Sequence, residues 1–176
     1  MAFRRSRKTY DEPALYDYAI GVLGRHMRSV AELKRLLRQR VAGQENGDAL
    51  LEAVVTRLKD QKYLSDARFA EAYSSYRKEN EKFGRRRVVT DLKAKGVHGE
   101  VIEKAVESAY AGVSEEKLAR QHLARKRMTR PRTQKDAARI FRALARAGFA
   151  SGVIFKILKK WDVDEEVLSA LESELA

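Results

Sequence analysis

The chain repeats an apolar pattern with a period of 52 residues. The matched positions are Val88 and Ile140, Val89 and Phe141, Leu92 and Leu144, Gly96 and Gly148, Val97 and Phe149, Val101 and Val153, Ile102 and Ile154, Ala105 and Ile157, and Val106 and Leu158. Helical periodicity explains the pattern within each apolar run. It does not explain why both copies keep the same spacing across the glycine between the two runs. A fixed period of about 50 residues predicts an array of stacked helical units.

A fainter copy of the same pattern lies upstream. Leu33 and Leu37 precede Val88 and Leu92 by 55 residues, and the run that starts at Leu50 restores the spacing of the second apolar run. Four extra residues separate the two runs of this copy, within the polar segment 43–48. A segment rich in glycine and polar residues is typical of a loop, so the sequence predicts three related units.

Composition favours helices throughout the chain. Only two of the 176 residues are proline, and charged residues make up 35% of the sequence. Alanine, leucine, arginine, lysine and glutamate are good helix formers, and no run of alternating β-branched residues is present. We therefore expect an all-α fold, an elongated tandem array of three three-helix modules, which resemble helix-turn-helix units, with a short acidic helix at the C-terminus.

Local signals set the predicted boundaries. We expect a basic flexible arm over 1–12, three-helix modules over 13–62, 63–112 and 113–161, and an acidic segment over 162–176 whose helix spans about 164–175. Pro13 suits a first helical turn, and Ser29 with Glu32 forms a capping box. Further caps are predicted at Asp48, Asp136 and Ser151, and helix ends at Gly96 and Gly148.

The net charge of +12 is unevenly distributed. Residues 117–146 hold 11 basic side chains and one acid, whereas residues 162–176 hold six acids and no base. This separation favours a polyanionic partner, either nucleic acid or a nucleic-acid assembly. No apolar stretch is long enough to span a membrane and no signal-peptide pattern follows the basic N-terminus, so a cytoplasmic protein is expected.

Sequence patterns for catalysis, cofactors and metals are missing. The chain has no cysteine, and His26, His98 and His122 lack metal-ligand spacing. We interpret all three histidines as surface or half-buried side chains. No glycine-rich phosphate loop is followed by lysine and serine or threonine, and most carboxylates alternate with basic residues at helical spacing. We therefore expect neither an enzyme nor a cofactor.

The strongest positive signal is the run Gly84-Arg85-Arg86-Arg87. If Gly84 occupies the N-cap, the arginines fill the first helical turn, where the helix dipole disfavours cations by about 0.3–1 kcal/mol each. The first unit has the favourable Glu32 at the equivalent position, and the third has Arg139. Placing guanidinium groups at a helix start is explained by an anionic partner, although solvated arginines on a strong core are an alternative.

A second basic signal is the connection 125–135, which holds six bases, no acid and one proline. Contact with nucleic acid and a merely solvated loop are both consistent with this segment. Tyr63, Tyr73, Tyr76 and Phe83 match the residue types that stack on single-stranded bases. At their spacing, packing between helices is the favoured interpretation for these four aromatic residues.

The segments 63–73, 83–87 and 95–97 together resemble the signature of the RecX family of bacterial recombination regulators. The resemblance covers the three-module layout from about residue 14 to 161, and implies tandem three-helix modules with the signature in the second. Family membership further implies no catalytic activity. It implies binding to the RecA–DNA filament in its helical groove, with inhibition of strand exchange, ATP hydrolysis and coprotease function.

The expected partners are a RecA-type recombinase filament and, weakly and without sequence specificity, single- and double-stranded DNA, bound by a monomer. The candidate binding residues are Arg68, Arg77, Lys78, Arg85, Arg86, Arg87, Lys93, Lys95, Arg125, Lys126, Arg127, Arg130, Arg132, Lys135 and Arg139. Two alternatives remain open: a helix-turn-helix transcriptional regulator, which requires sequence-specific duplex binding, and a non-catalytic helical scaffold, which requires no salt-sensitive DNA affinity.

Overall fold

A computed structural model describes residues 9–173, without the side chains of residues 171 and 172. Ten helices and no strand occur within these residues, which confirms the all-α prediction. The helices are α1 (Glu12–Leu23), α2 (Val30–Arg40), α3 (Gly47–Asp60), α4 (Asp66–Glu79), α5 (Arg85–Ala94), α6 (Gly99–Tyr110), α7 (Glu115–Arg125), α8 (Gln134–Arg146), α9 (Ser151–Lys159) and α10 (Glu165–Ser173).

The chain divides into two compact units. The first holds residues 9–69 and 95–98, and the second holds residues 70–94 and 99–173. The boundaries of the three predicted modules stay a prediction. Tyr10 exchanges two backbone hydrogen bonds with the Gln44 side chain, both at 2.9 Å, and Glu12 begins α1. These residues therefore belong to the folded part, contrary to the arm predicted over 1–12.

Helices α1, α2 and α3 enclose the core of the first unit. Its fully buried members include Leu15, Leu33, Leu37, Val54 and Leu58. Within each helix the buried core residues recur mostly at spacings of three and four residues, so each helix presents one apolar stripe to the others. The apolar pattern seen in the sequence therefore corresponds to the observed core.

Residues 95–98 are anchored to the start of α2. The predicted capping box is confirmed: Glu32 N donates to Ser29 Oγ at 3.1 Å, and Ser29 N donates to Glu32 Oε2 at 3.2 Å. Ser29 Oγ also donates to the Lys95 carbonyl at 2.6 Å, and Lys95 Nζ lies 2.7 Å from Glu32 Oε1. Gly96 has a φ of +75°, as its predicted helix-ending role requires.

The core of the second unit uses the repeated positions. Val88, Leu92, Ile102, Ala105 and Val106 are buried, as are their equivalents in the third predicted module, Ile140, Leu144, Ile154, Ile157 and Leu158. Outside this core, Glu116 of α7 pairs with Lys156 and Lys160 of α9 at 3.2 and 2.6 Å. These lysines lower the pKa of Glu116 to about 2.

Three predicted caps are wrong by one to three residues. Thr133, rather than Asp136, caps α8, and its Oγ1 accepts from Asp136 N at 3.1 Å. Asn46 occupies the N-cap of α3, so Asp48 lies in the first turn, and Ala150 occupies the N-cap of α9. Neither Asn46 nor Ala150 makes a side-chain capping bond, so local capping rules could not locate these two starts. The predicted end of the last helix at residue 175 lies outside the described residues.

Candidate binding cleft

The arginine run begins α5 as predicted, and a close approach of two glycines fixes its position. Gly84 N donates to the Ala147 carbonyl at 2.8 Å. A Cβ on Gly84 would lie 2.4 Å from the Gly148 carbonyl oxygen, and a Cβ on Gly148 would lie 2.2 Å from Arg87 N. Gly148 also has a φ of +86°, which side chains disfavour. Both glycines are therefore required where α5 meets the turn between α8 and α9.

The three arginines of this turn differ in their surroundings. Arg87 Nε lies 2.9 Å from Asp91 Oδ1, and its guanidinium lies 5.7 Å from the centre of the Phe83 ring. Asp91 Oδ2 accepts from the Tyr73 hydroxyl at 3.1 Å, which extends the contact to α4. Arg85 and Arg86 are exposed and have no carboxylate partner among residues 9–173. Arg87 thus has a structural role, whereas Arg85 and Arg86 are available to a partner.

A cleft of about 430 Å³ opens beside Arg87, and we call it the basic cleft. Its lining residues are Phe83, Arg87, His122, Lys126, Met128, Arg139, Ala143, Arg146 and Ala147. Three of its four cations were predicted from the sequence. Arg146 was not, although its spacing of seven residues from Arg139 places both on the same face of α8. The cleft therefore combines a cationic rim with apolar groups.

His122 is a buried member of this lining, so the prediction of a surface or half-buried residue is wrong. Only 3% of His122 is exposed, and its Nδ1 lies 3.0 Å from the Glu81 carbonyl oxygen. The ring packs against Phe83 and Phe149, with centroids 5.8 and 6.1 Å away. Burial lowers the pKa of His122, with further lowering from Lys126 and Arg125 and opposition from Glu81. The imidazole is therefore neutral at pH 7.

Arg139 was predicted at a helix start, and this is wrong. Because α8 begins at Gln134, Arg139 lies in the second turn, and the first turn carries Asp136 in its favoured place. Thr133 Oγ1 donates to Asp136 Oδ2 at 3.0 Å and Arg132 N donates to it at 3.4 Å, and these two bonds lower the pKa of the Asp136 carboxyl. Arginines therefore occupy the start of α5 but not that of α8, yet Arg139 and Arg87 line the same cleft.

The basic connection is partly neutralised by acids of the second unit. Arg125 lies 3.3 Å from Glu81, and Arg130 lies 2.6 Å from Asp162 and donates to the Trp161 carbonyl at 3.1 Å. The side chains of the other four cations have no carboxylate partner in the described part of the chain, and these are Lys126, Arg127, Arg132 and Lys135. Only part of this segment is free for phosphates.

The remaining candidate cations lie elsewhere. In the second unit, Arg77 places its guanidinium 4.9 Å from the Tyr73 ring centre, and Lys78 donates to the Ala109 carbonyl at 2.7 Å. Lys93 is exposed on α5. In the first unit, Lys95 pairs with Glu32, and Arg68 donates to the Lys62 carbonyl. These five residues do not line the basic cleft.

Two of the four aromatic residues contradict the packing interpretation. Tyr63 is 61% exposed and Tyr76 is 56% exposed, so neither belongs to a core. Tyr73 and Phe83 are partly buried and contact arginine guanidinium groups, in agreement with packing. The helical spacing of aromatic residues in the sequence does not show which face of α4 is exposed to solvent.

Within residues 9–173, no group of three or more histidine, cysteine or acidic side chains is placed to hold a metal ion. None of the helices described is both long and apolar enough to cross a membrane.

Comparison with known proteins identifies the family. Residues 65–106 match the family model described as RecX, second three-helix domain. The chain is 33% identical over 168 residues to the regulatory protein RecX of Myxococcus xanthus (strain DK1622), which covers 88% of this chain and 87% of that protein. It is 31% identical over 142 residues to the regulatory protein RecX of Thermobifida fusca (strain YX), covering 79% and 74%.

Two solved structures share the fold. A crystal structure of RecX from Lactobacillus salivarius superposes with a TM-score of 0.65 at 19% identity, covering 86% of this chain and 96% of that one. A crystal structure of a regulatory protein RecX gives a TM-score of 0.68 at 16% identity, covering 85% and 71%. The fold agrees with these structures, and the two sequence relatives establish that the chain belongs to the RecX family of regulatory proteins.

Proposed function

We propose that this protein binds a RecA-type nucleoprotein filament and inhibits its strand exchange, ATP hydrolysis and coprotease activities without catalysing a reaction. Membership of the RecX family supports this function in outline. The basic surface of the second unit supports an anionic partner. Binding occurs in the helical groove of the filament, where several weak contacts add through their high effective concentration.

The exposed pair Arg85 and Arg86 carries the proposal. Both occupy the first turn of α5, where the helix dipole attracts anions. They lie within residues 65–106, which match the family model. A purely stabilising role is a poor explanation, because the same dipole disfavours cations at this end of a helix.

Reversing these charges separates binding from folding. We expect Arg85→Glu/Arg86→Glu to leave the free energy of unfolding unchanged or slightly higher, because acids favour a helix N-terminus. Half-inhibition of ATP turnover and strand exchange by a RecA filament should need about tenfold more protein, since attraction becomes repulsion.

The matched control is Arg35→Glu/Lys104→Glu, which changes the net charge equally at exposed positions within α2 and α6. It should inhibit nearly as well as the unmodified protein. If the Arg85/Arg86 variant inhibits as well as this control does, the α5 start is only a solvated face. If neither the unmodified protein nor the control inhibits at all, the proposed function itself is wrong.

A further inference from the structure

The basic cleft combines two kinds of surface that a bare phosphate site does not need. Arg139 is an exposed cation whose nearest carboxylate, Asp136, lies at 4.0 Å, and Lys126 is exposed without a carboxylate partner in the described part of the chain. Met128, Ala143 and Ala147 line the same cleft as these cations. At about 430 Å³, the cleft falls within the size range that holds small ligands or a few side chains.

The aromatic group of the cleft is already engaged. The Phe83 ring lies 5.5 and 5.7 Å from the guanidinium groups of Arg77 and Arg87, and 5.8 Å from the His122 ring. It therefore has little free face on which a nucleobase can stack, which is the usual basis of sequence-tolerant single-strand binding. The apolar contact that remains comes from Met128, a flexible side chain that adapts to varied shapes.

We propose that the basic cleft binds a segment of a protein partner in which an apolar side chain is flanked by carboxylates. The apolar side chain packs against Met128 and the two alanines, and the carboxylates accept hydrogen bonds from Lys126 and Arg139. This inference deepens the proposed function and rests on it, because it assigns the cleft to the protein component of the filament rather than to its DNA.

The roles of the four cations differ. Arg87 is held by Asp91, so it contributes mainly a fixed positive charge. Arg146 Nε donates to the Arg142 carbonyl at 3.2 Å, which orients its guanidinium along α8. Lys126 and Arg139 are the cations that can move to meet a carboxylate. Charge complementarity therefore selects acidic partners, while the apolar lining selects among them.

The test uses the full chain and two fluorescent peptides, Glu-Asp-Leu-Glu-Asp and Glu-Asp-Gly-Glu-Asp, with affinity measured by anisotropy. We expect the leucine peptide to bind about fivefold more tightly than the glycine peptide. Met128→Ala and the similarly sized Met128→Gln should remove most of that difference. Lys126→Glu/Arg139→Glu should weaken both peptides about tenfold, whereas Arg35→Glu/Lys104→Glu should change them much less. Thermal unfolding establishes that every variant is folded.

Two results would overturn the inference. If the two peptides bind with equal affinity and replacing Met128 changes neither affinity, the cleft binds them through its surface charge alone. Binding of a thymidine oligonucleotide that depends on Lys126, Arg139 and Met128, with no binding of either peptide, would assign the cleft to nucleic acid instead. Neither peptide assay contains recombinase or DNA, so the inference can fail while filament inhibition by the unmodified protein persists.

Discussion

At the scale of single residues, His122 couples the stability of the second unit to pH. It is buried against Phe83 and Phe149, and its charged neighbours are Lys126, Arg125 and Glu81. Burial and the two cations together outweigh Glu81, so the pKa of His122 lies below its ordinary value of 6.5. Its neutral form is therefore the one that the folded state favours.

The sign of the pH dependence follows from this lowered pKa. Below about pH 6.5, His122 becomes protonated in the unfolded chain more readily than in the folded state. The free energy of unfolding therefore falls as the pH falls. The slope from this one group is at most about 1.4 kcal/mol per pH unit. We expect His122→Asn, which keeps a donor for the Glu81 carbonyl, to flatten the stability profile between pH 6.5 and 5.

The control for this prediction is His98→Asn at an exposed position. Urea unfolding at several pH values measures the free energy of unfolding of both variants. A profile for His122→Asn as steep as that of the unmodified protein would mean that other groups cause the slope. The burial of His122 was not predictable from the sequence, because a helical face does not reveal which residues of a distant loop will cover it.

At the scale of elements, the contact between the α5 start and the turn at Gly148 fixes the cationic rim. Gly84→Ala would place a methyl group 2.4 Å from a backbone oxygen, which cannot move away as a flexible side chain can. We expect a loss of about 1–3 kcal/mol in the free energy of unfolding, with weaker peptide binding at the basic cleft.

Gly152→Ala is the matched control, because nothing lies within 4 Å of a Cβ at this position in α9. It should stabilise the protein by up to about 1 kcal/mol, since alanine favours helices and loses less entropy on folding. Chemical denaturation compares the free energies of unfolding of the two variants. A Gly84→Ala variant as stable as Gly152→Ala would show that the two elements separate readily. The sequence predicted both ends of this contact as helix boundaries, but not that they touch.

At the scale of the whole molecule, the net charge of +12 predicts a DNA affinity that depends on salt but not on sequence. The paired residues Arg125 and Arg130 should contribute little, because Glu81 and Asp162 already neutralise them. Replacing the three cations of the basic connection that have no side-chain carboxylate partner and lie outside the basic cleft should reduce the slope of log affinity against log salt by roughly 0.7–0.9 for each phosphate that the glutamine variant no longer binds. Those residues are Arg127, Arg132 and Lys135.

Anisotropy titrations at several salt concentrations measure this slope, with Arg125→Gln/Arg130→Gln as the comparison. Duplexes of equal length and unrelated sequence should bind with equal affinity. A preference of more than about tenfold for one duplex would favour a sequence-specific regulator instead, because such proteins discriminate strongly between sites. An unchanged slope after the threefold replacement would exclude these three residues from DNA contact.

Local sequence signals predicted the helices and the sign of the surface charge. These signals are the apolar periodicity, the capping box at Ser29 and the glycines at 96 and 148. Each depends on residues that are close along the chain, so its effect can be read from the sequence. The caps that failed are those where the helix begins without a side-chain bond or where two candidates lie within one turn, as Thr133 and Asp136 do.

Which cations act together depends on how the helices pack in three dimensions. Arg87 lies on α5, Lys126 follows α7, and Arg139 and Arg146 share one face of α8, and packing brings these elements to a single cleft. Packing also buried His122, left Tyr63 and Tyr76 exposed, and paired Arg125 with Glu81. The reason is physical: helix formation depends on neighbours along the chain, whereas burial and ion pairing depend on which surfaces meet in space.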